Sequence, residues 1–303
     1  MRGRLESGES TPMEEAIQKA SVLIEALPYL RAYRGKRIAI KLGGAAMVEP
    51  RMLDTFLQDV VFLQTAGSAP IVIHGGGPLI PEEMNRRGLK PKFVKGRRVT
   101  DAETLAIVRD VLVRLNEDLV RGIREHGGRA EGLHVHGQSP LVGRRIQIKS
   151  ENGEPLDLGL VGEVTQVRNI LIEGLCTAGI VPVIAPLAKE EGRDGVLNVN
   201  ADTVAGRVSA AVVPEKLVVV SDTHGVRTDP HDPESFASTL TEEQIQELVA
   251  TGVIDRGMLP KVQACIQALD AGVPKAHIID GRIPHSLLLE IFTDKGIGTQ
   301  ILH

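Results

Sequence analysis

Two lysines, one aspartate and two glycine runs are the residues whose types and spacing could do chemistry in this chain. "IAIKLGG" ends an alternating aliphatic run on Lys41 and then leaves Gly43 and Gly44 without side chains. "IVIHGGG" repeats the arrangement with Gly75, Gly76 and Gly77. Glycines at a strand end let backbone N–H groups approach an anion with no Cβ in the way. A lone pair is as readily a turn as a site. Two runs at successive strand ends, one of them with a lysine, shift the balance toward phosphate. Neither run matches the P-loop pattern or the dinucleotide fingerprint, so a nucleotide here must be held by another fold.

"LNVNAD" places Asn198 and Asp202 where a strand end meets a helix starting near Asn200. Taken alone, its Asn or Asp is more simply a helix cap. "GMLPKV" puts Lys261 in the first turn of a helix, where a cation opposes the dipole at a cost of up to about 1 kcal/mol. It needs an anionic partner there, unless solvent covers it. "GRRVTD" sets Arg97 and Arg98 just before a capped helix. One of them can hold a carboxylate in a bidentate pair, or both are solvated surface residues. Two lysines, an organising aspartate and two amide cradles together describe phosphoryl transfer by positioning and charge stabilisation. No Ser–His–Asp order, zinc spacing or paired-glutamate pattern competes. His134 and His136 alternate onto one face of a strand-like "LHVHG", where structural or solvated roles outweigh a metal site.

The elements that must position these groups alternate. Strand signals in "RIAIKLGG", "APIVIHGGG", "GIVPVIAPL", "KLVVVSD" and "KAHIID" are separated by helical stretches, including 50–66, a long helix capped near Asp101, "TEEQIQELVATG" and "MLPKVQACIQALDAG". This alternation predicts an α/β fold with an open, mostly parallel sheet between helix layers. A soft division falls near 208–215, separating lobes of 35–208 and 209–303. Ahead of them, Thr11, Pro12 and Glu14 open an amphipathic helix whose stripe is Met13, Ile17, Ala20, Ile24 and Leu27, kinked or ended by Pro28. Periodicity alone leaves it equally a helix folded on its own domain or an arm for another subunit. The ten residues before it are polar and expected to fray.

Composition narrows the rest. Seven aromatic residues (Phe 5, Tyr 2, Trp 0) mean an aliphatic core. A net charge of −4, from 35 basic and 39 acidic residues, argues against broad nucleic-acid binding. Cys176 and Cys265 make neither a disulfide framework nor a metal cluster. With no apolar signal region and no membrane-length run, the expectation is a cytoplasmic protein.

From about residue 12 to the C-terminus the chain resembles the amino-acid kinase family, and most closely those members that phosphorylate N-acetyl-L-glutamate. The motifs "IKLGGAAM", "VIHGGGP", "GRRVTDAET", "LNVNAD", "GMLPKV" and "LLLEIFTDKGIGT" occur in family order. The resemblance implies a three-layer sandwich whose amino lobe holds the acylated amino acid and whose carboxyl lobe holds ATP. It implies that Lys41 and Lys261 stabilise the transferring phosphoryl group and that Asp202 orients both. Gly43, Gly44, Gly76 and Gly77 would turn amides toward phosphates and substrate. Arg98 would pair the substrate α-carboxylate and Asn198 would grip its backbone. Mg²⁺ would bridge the ATP phosphates with few protein ligands, and an ionised carboxylate nucleophile needs no general base.

The same resemblance makes residues 1–34 an arm that interlaces dimers into a homohexamer in arginine-inhibited members. It places Glu290 and Gly296 near bound arginine, with Lys216 and His277 as further candidates. Some relatives also bind a PII-type nitrogen-signalling protein. Departures from the family pattern fall at Leu79, Pro81 and Arg97 near the acyl-amino-acid pocket, and at Thr223, His224 and Arg256 on the nucleotide side. Alternative readings are a kinase for a related substrate such as N-acetyl-aminoadipate, or a non-catalytic arginine or nucleotide sensor.

Overall fold

The computed structural model describes residues 11–94, 97–149, 153–254, 257–293 and 296–303. Arg256, residues 1–10 and part of the "FTDKG" stretch lie outside them. The chain opens with α1 (Pro12–Tyr33), β1 (Arg37–Leu42), α2 (Pro50–Thr65), β2 (Ala69–His74) and α3 (Leu79–Arg86). A ribbon of β3 (Phe93–Val94) and β4 (Arg97–Arg98) leads to α4 (Ala102–Glu125) and β5 (Ala130–Leu133). Four short strands follow: β6 (Leu141–Arg145), β7 (Ile148–Lys149), β8 (Pro155–Leu156) and β9 (Gly162–Val167). Then come α5 (Asn169–Thr177), β10 (Val181–Ile184), β11 (Leu187–Glu190), β12 (Val196–Asn198) and α6 (Ala201–Val212). The chain ends with β13 (Lys216–Ser221), β14 (Thr239–Thr241), α7 (Glu242–Ala250), α8 (Leu259–Asp270), β15 (Ala276–Asp280), α9 (Ser286–Phe292) and β16 (Thr299–Leu302).

The main sheet has the order β14-β16-β15-β13-β1-β2-β10-β5. It is parallel except where β16 runs against β15, so the sheet is mostly parallel as its crossover helices require. β1 lies between β2 and β13, pairing Lys41 with Ile73 on one side and Val219 on the other. One sheet therefore runs across the division near 208–215.

Alternation along β1 sets the layers. Ile38, Ile40 and Leu42 enter a core shared with α2, α4 and α9, whereas Ala39 enters one shared with α6 and α8. Lys41 shares the face of Ala39 and so emerges toward α6 and α8. Those two helices pack tightly at Gly206, where a Cβ would come within 3.0 Å of Ala264 Cα. Asp202 is one turn before Gly206 and Lys261 one turn before Ala264, so the close crossing carries both groups to the end of β1.

A second sheet, β12-β11-β6-β9, flanks the amino lobe; none of its pairings is evident from the strand pattern of the sequence. After β6 and β9 the chain returns to it at Pro186, where "GIVPVIAPL" divides into β10 of the main sheet and β11 of the second. Other local expectations also shift. "LHVHG" is a strand only to Leu133, after which Gly137 N–H closes a turn on the His134 carbonyl at 3.1 Å. "GAAM" is a separate 3₁₀ turn, because Glu49 caps and Pro50 starts α2 afresh. Pro28 does not end α1. The carbonyl it leaves without a donor belongs to Ile24, on a residue open to water. Thr11 and Glu14 form the expected capping box, while Met13, Ile17, Ile24 and Leu27 remain exposed within the chain. No helix among the described residues is long and apolar enough to cross a membrane.

Candidate active site

At the carboxyl end of β1, Lys41 Nζ lies 2.8 Å from Asp202 Oδ1, and Lys261 Nζ lies 3.8 Å from Asp202 Oδ2. One buried carboxylate thus sits between two ammonium groups. Burial by itself would raise the Asp202 carboxyl, but Lys41 and Lys261 outweigh it and hold the group below its ordinary value. Lys261 also donates to the Gly257 carbonyl at 2.9 Å. Asn200, rather than Asp202, caps α6 by accepting from Thr203 N–H at 2.9 Å. The cap in "NAD" is thus Asn200, which leaves the Asp202 carboxylate to the two lysines two residues on.

The two glycine runs flank this triad. A Cβ on Gly43 would collide with Lys41 Nζ, and one on Gly77 would lie 3.8 Å from the Gly44 carbonyl, which puts the runs side by side. Gly44 (φ +65°) and Gly77 (φ +38°) both adopt left-handed backbone. Among the described residues, the N–H groups of Gly43, Gly44, Gly76 and Gly77 donate to no protein acceptor. Amides left bare beside two lysines can receive phosphate oxygens.

Asn198 and Arg98 are joined through Thr100, whose Oγ1 donates to the Arg98 carbonyl at 2.9 Å. The segment around Leu160 stitches them: Leu160 N–H donates to the Thr100 carbonyl at 2.6 Å, and Asn198 N–H donates to the Leu160 carbonyl at 2.9 Å. Asn198 Nδ2 then reaches Thr100 Oγ1 at 3.2 Å. Arg98 lies half-buried over the Phe93 ring at 4.8 Å, with Nη1 3.3 Å from Met84 Sδ. Burial lowers its pKa, and no carboxylate pairs it among the described residues. A desolvated guanidinium in that state can take a carboxylate partner. Leu79 and Pro81 sit on α3 and Arg97 precedes Arg98 on β4, as their neighbourhood in sequence suggests.

Lys261 itself lines a cavity of about 430 Å³ together with Ser221, Asp222, Thr223, Gly225 and Met258. Asp222 faces Gly44, whose Cβ would come 3.1 Å from Asp222 Cβ. Sequence reasoning missed Asp222 and Thr100; the only signal for Asp222 is an acid directly after the strand "KLVVVS". His224 does not line the cavity; its Nδ1 lies 3.0 Å from Asp280 Oδ2. The described residues that could together ligate one ion are Glu242, Asp270 and His303. Asp270 ends α8 while Lys261 is near its start, about 13 Å away along the helix. The site itself offers Asp222, whose Oδ1 accepts only from the Ser221 hydroxyl at 3.3 Å among the described residues, which fits a cation arriving on phosphate oxygens better than one caged by protein.

Lys216, His277, Glu290 and Gly296 come together elsewhere, lining a cavity of about 670 Å³ with Tyr29 and Tyr33 of α1. Lys216 Nζ is 2.8 Å from Glu290 Oε1, and His277 Nε2 is 3.0 Å from the same oxygen. Burial, reinforced by Lys216 and Lys275, pushes His277 down to about 3. The imidazole is therefore a neutral donor to Glu290, not an ionic partner. The two tyrosines are a contribution that the motifs did not indicate.

Comparison with known proteins matches these features to relatives. The model of the amino acid kinase family matches residues 36–280. The acetylglutamate kinase of Methanothrix thermoacetophila is 47% identical over 287 residues, 94% of this chain and 99% of that one. That of Symbiobacterium thermophilum is 45% identical, covering 95% of this chain and 99% of its own. Among solved structures, N-acetylglutamate synthase from Neisseria gonorrhoeae, complexed with coenzyme A and N-acetyl-glutamate, superposes with a TM-score of 0.82. At 23% identity it is similar in fold alone; it covers 94% of this chain, which spans 63% of the synthase. The family model and 45–47% identity over 94–95% of the chain agree: the chain belongs to the amino acid kinase family, among its acetylglutamate kinases.

Proposed function

We propose that this chain transfers the γ-phosphoryl group of ATP to the side-chain carboxylate of N-acetyl-L-glutamate, forming N-acetyl-L-glutamyl 5-phosphate and ADP in the second step of arginine biosynthesis. The observation that carries the reading is the Lys41–Asp202–Lys261 arrangement beside amides that lack protein acceptors. A carboxylate oxygen bonds to the γ-phosphorus as the bond to the β,γ-bridging oxygen breaks, and ADP leaves with that electron pair. Lys41 and Lys261 stabilise charge on the transferring oxygens, and Asp202 keeps the two ammonium groups in place. Gly43 and Gly44 serve the nucleotide phosphates; Gly76 and Gly77 face the acceptor side. Arg98 binds the α-carboxylate and Asn198 the acylated backbone. No base is needed because the nucleophile is already ionised. Asp222, which lines the neighbouring cavity, would help to hold Mg²⁺ brought by the nucleotide, and such a cation would supply neutralisation of phosphate charge.

In this reading 35–208 binds the acyl amino acid and 209–303 binds ATP, in the cytoplasm. The cavity at Lys216, His277, Glu290 and Gly296 takes arginine as feedback inhibitor. The exposed stripe on α1 joins dimers into a hexamer, and Tyr29 and Tyr33 make the arm part of the inhibitor pocket. The test is ADP release from purified protein with ATP, Mg²⁺ and either N-acetylglutamate or N-acetyl-aminoadipate. Turnover with the first at least tenfold above the second is expected. No ADP with N-acetylglutamate overturns the reading.

A further inference from the structure

His74 is the last residue of β2 and immediately precedes the second glycine run. It is fully buried and contributes no atom to the site described above. Its Nδ1 lies 3.0 Å from the carbonyl of Gly75, and its Nε2 lies 3.0 Å from Nδ2 of Asn116 on α4. Asn116 Nδ2 also reaches the Val183 carbonyl at 2.9 Å.

The polarity of this chain is dictated by its two ends. Carbonyls only accept, so the atom facing Val183 must be the Asn116 amide nitrogen. Its second N–H then points at His74 Nε2, which must be unprotonated to accept it. The ring proton is thereby left on Nδ1, where it donates to the Gly75 carbonyl. A charged ring would set two N–H donors against the Asn116 donor. Burial agrees, pushing the imidazole down to about 4 and keeping it neutral near pH 7. Gly132 completes the arrangement, because a Cβ there would collide with Asn116 Oδ1.

The Gly75 carbonyl and the Gly76 N–H belong to one trans peptide plane and point in opposite directions. Holding the carbonyl inward therefore turns the N–H outward, to the side from which a ligand approaches. Glycine on both sides of the plane leaves it torsionally loose, so without an anchor its orientation would be poorly defined.

We propose that His74, locked as the Nδ1–H tautomer by Asn116, is a positioning residue that aims the Gly76 N–H at the reacting phosphoryl or carboxylate oxygens. The identity of those oxygens rests on the kinase reading; the relay itself does not.

Three variants and one spectrum test it. His74→Asn keeps a donor near the Nδ1 position; His74→Gln moves the amide toward Asn116 and loses the donor to Gly75; His74→Leu removes both contacts. The His74→Asn variant is expected to keep kcat within about threefold of wild type, while His74→Gln loses at least about tenfold at a matched melting temperature. Equal kcat for the two amide variants, or losses that simply follow melting temperature across all three, overturn the proposal. Independently of any substrate, ¹⁵N-histidine spectra should show a neutral Nδ1–H ring that does not titrate between pH 5 and 8, identified by its disappearance in His74→Asn. An Nε2–H tautomer or a titrating ring overturns the relay. Wild-type protein without kinase activity would sink the functional reading and leave this spectrum to decide the relay alone.

Discussion

Lys41 and Asp202 form an ion pair of 2.8 Å in which each side chain is less than one-tenth exposed. A pair this buried cannot lose one member cheaply, because the survivor keeps its desolvation penalty without its partner. Here the survivor would be two ammonium groups, since Lys261 shares the same carboxylate.

Asp202→Asn preserves shape and removes the charge. With the two lysines free to repel, kcat should fall by roughly 10²–10³, the scale of losing an aligned electrostatic group. A coupled ADP assay measures it. Retention of more than a tenth of wild-type kcat would show that the lysines are oriented by something else.

Arg98 stands over Phe93 with no carboxylate among the described residues. Arg98→Ala should raise the KM for N-acetylglutamate by about 30-fold or more, the worth of a charge-assisted pair, and leave the KM for ATP within about twofold. Initial rates with each substrate varied in turn separate the two. An equal rise in both constants would point to general disruption of the β3–β4 ribbon.

The α1 stripe is exposed, yet Tyr29 and Tyr33 at the end of that helix line the cavity with Glu290. Deleting residues 1–30 should therefore do two things together: give dimers by sedimentation and weaken arginine inhibition. A truncated protein that still sediments as a hexamer would refute the arm.

Two buried histidines make stability depend on acid. His74 and His277 are lowered to about 4 and about 3 from an ordinary 6.5. Below pH 6.5 the unfolded chain binds more protons than the folded one, so stability falls as pH drops toward those values. Asp59 works the other way. Burial raises it from 3.8 to about 6, so the stability it confers is lost as pH rises through 6. Two groups outweigh one, and the net loss should be on the order of 1 kcal/mol per pH unit between 6 and 4. Urea midpoints at pH 7 and pH 5 check the sign. A higher midpoint at pH 5 would show that Asp59 dominates.

What could be read from the sequence follows from how local each signal is. The central strands β1, β2, β10, β13 and β15 carry aliphatic runs buried on both faces, so periodicity and bounding glycines reveal them. Lys41 and the two glycine runs sit at the ends of such runs, which is why they stand out as candidates in the sequence; Asp202 instead follows the short β12 of the second sheet and stands out only through the cap-like "NAD" at the start of α6. The second sheet was not legible, because its strands are short and half exposed, as "LVGRR" and "GEVTQV" show. Asp222 and Thr100 owe their importance to neighbours more than a hundred residues away for the one and about a hundred for the other. His74 looked like part of a strand and nothing more. Its partners lie 42 residues off on a helix and one residue away on its own backbone, and no pattern on a line of letters joins the two.

β13 has a consequence of its own. Lys216 at its first position lines the cavity with Glu290, and Ser221 at its last lines the cavity with Lys261. The two openings are therefore opposite tips of a single stiff rod of about 17 Å, clamped between β1 and β15. A molecule lodged at one tip cannot touch one lodged at the other. Whatever couples the two has to pass along that strand and its neighbours β1 and β15.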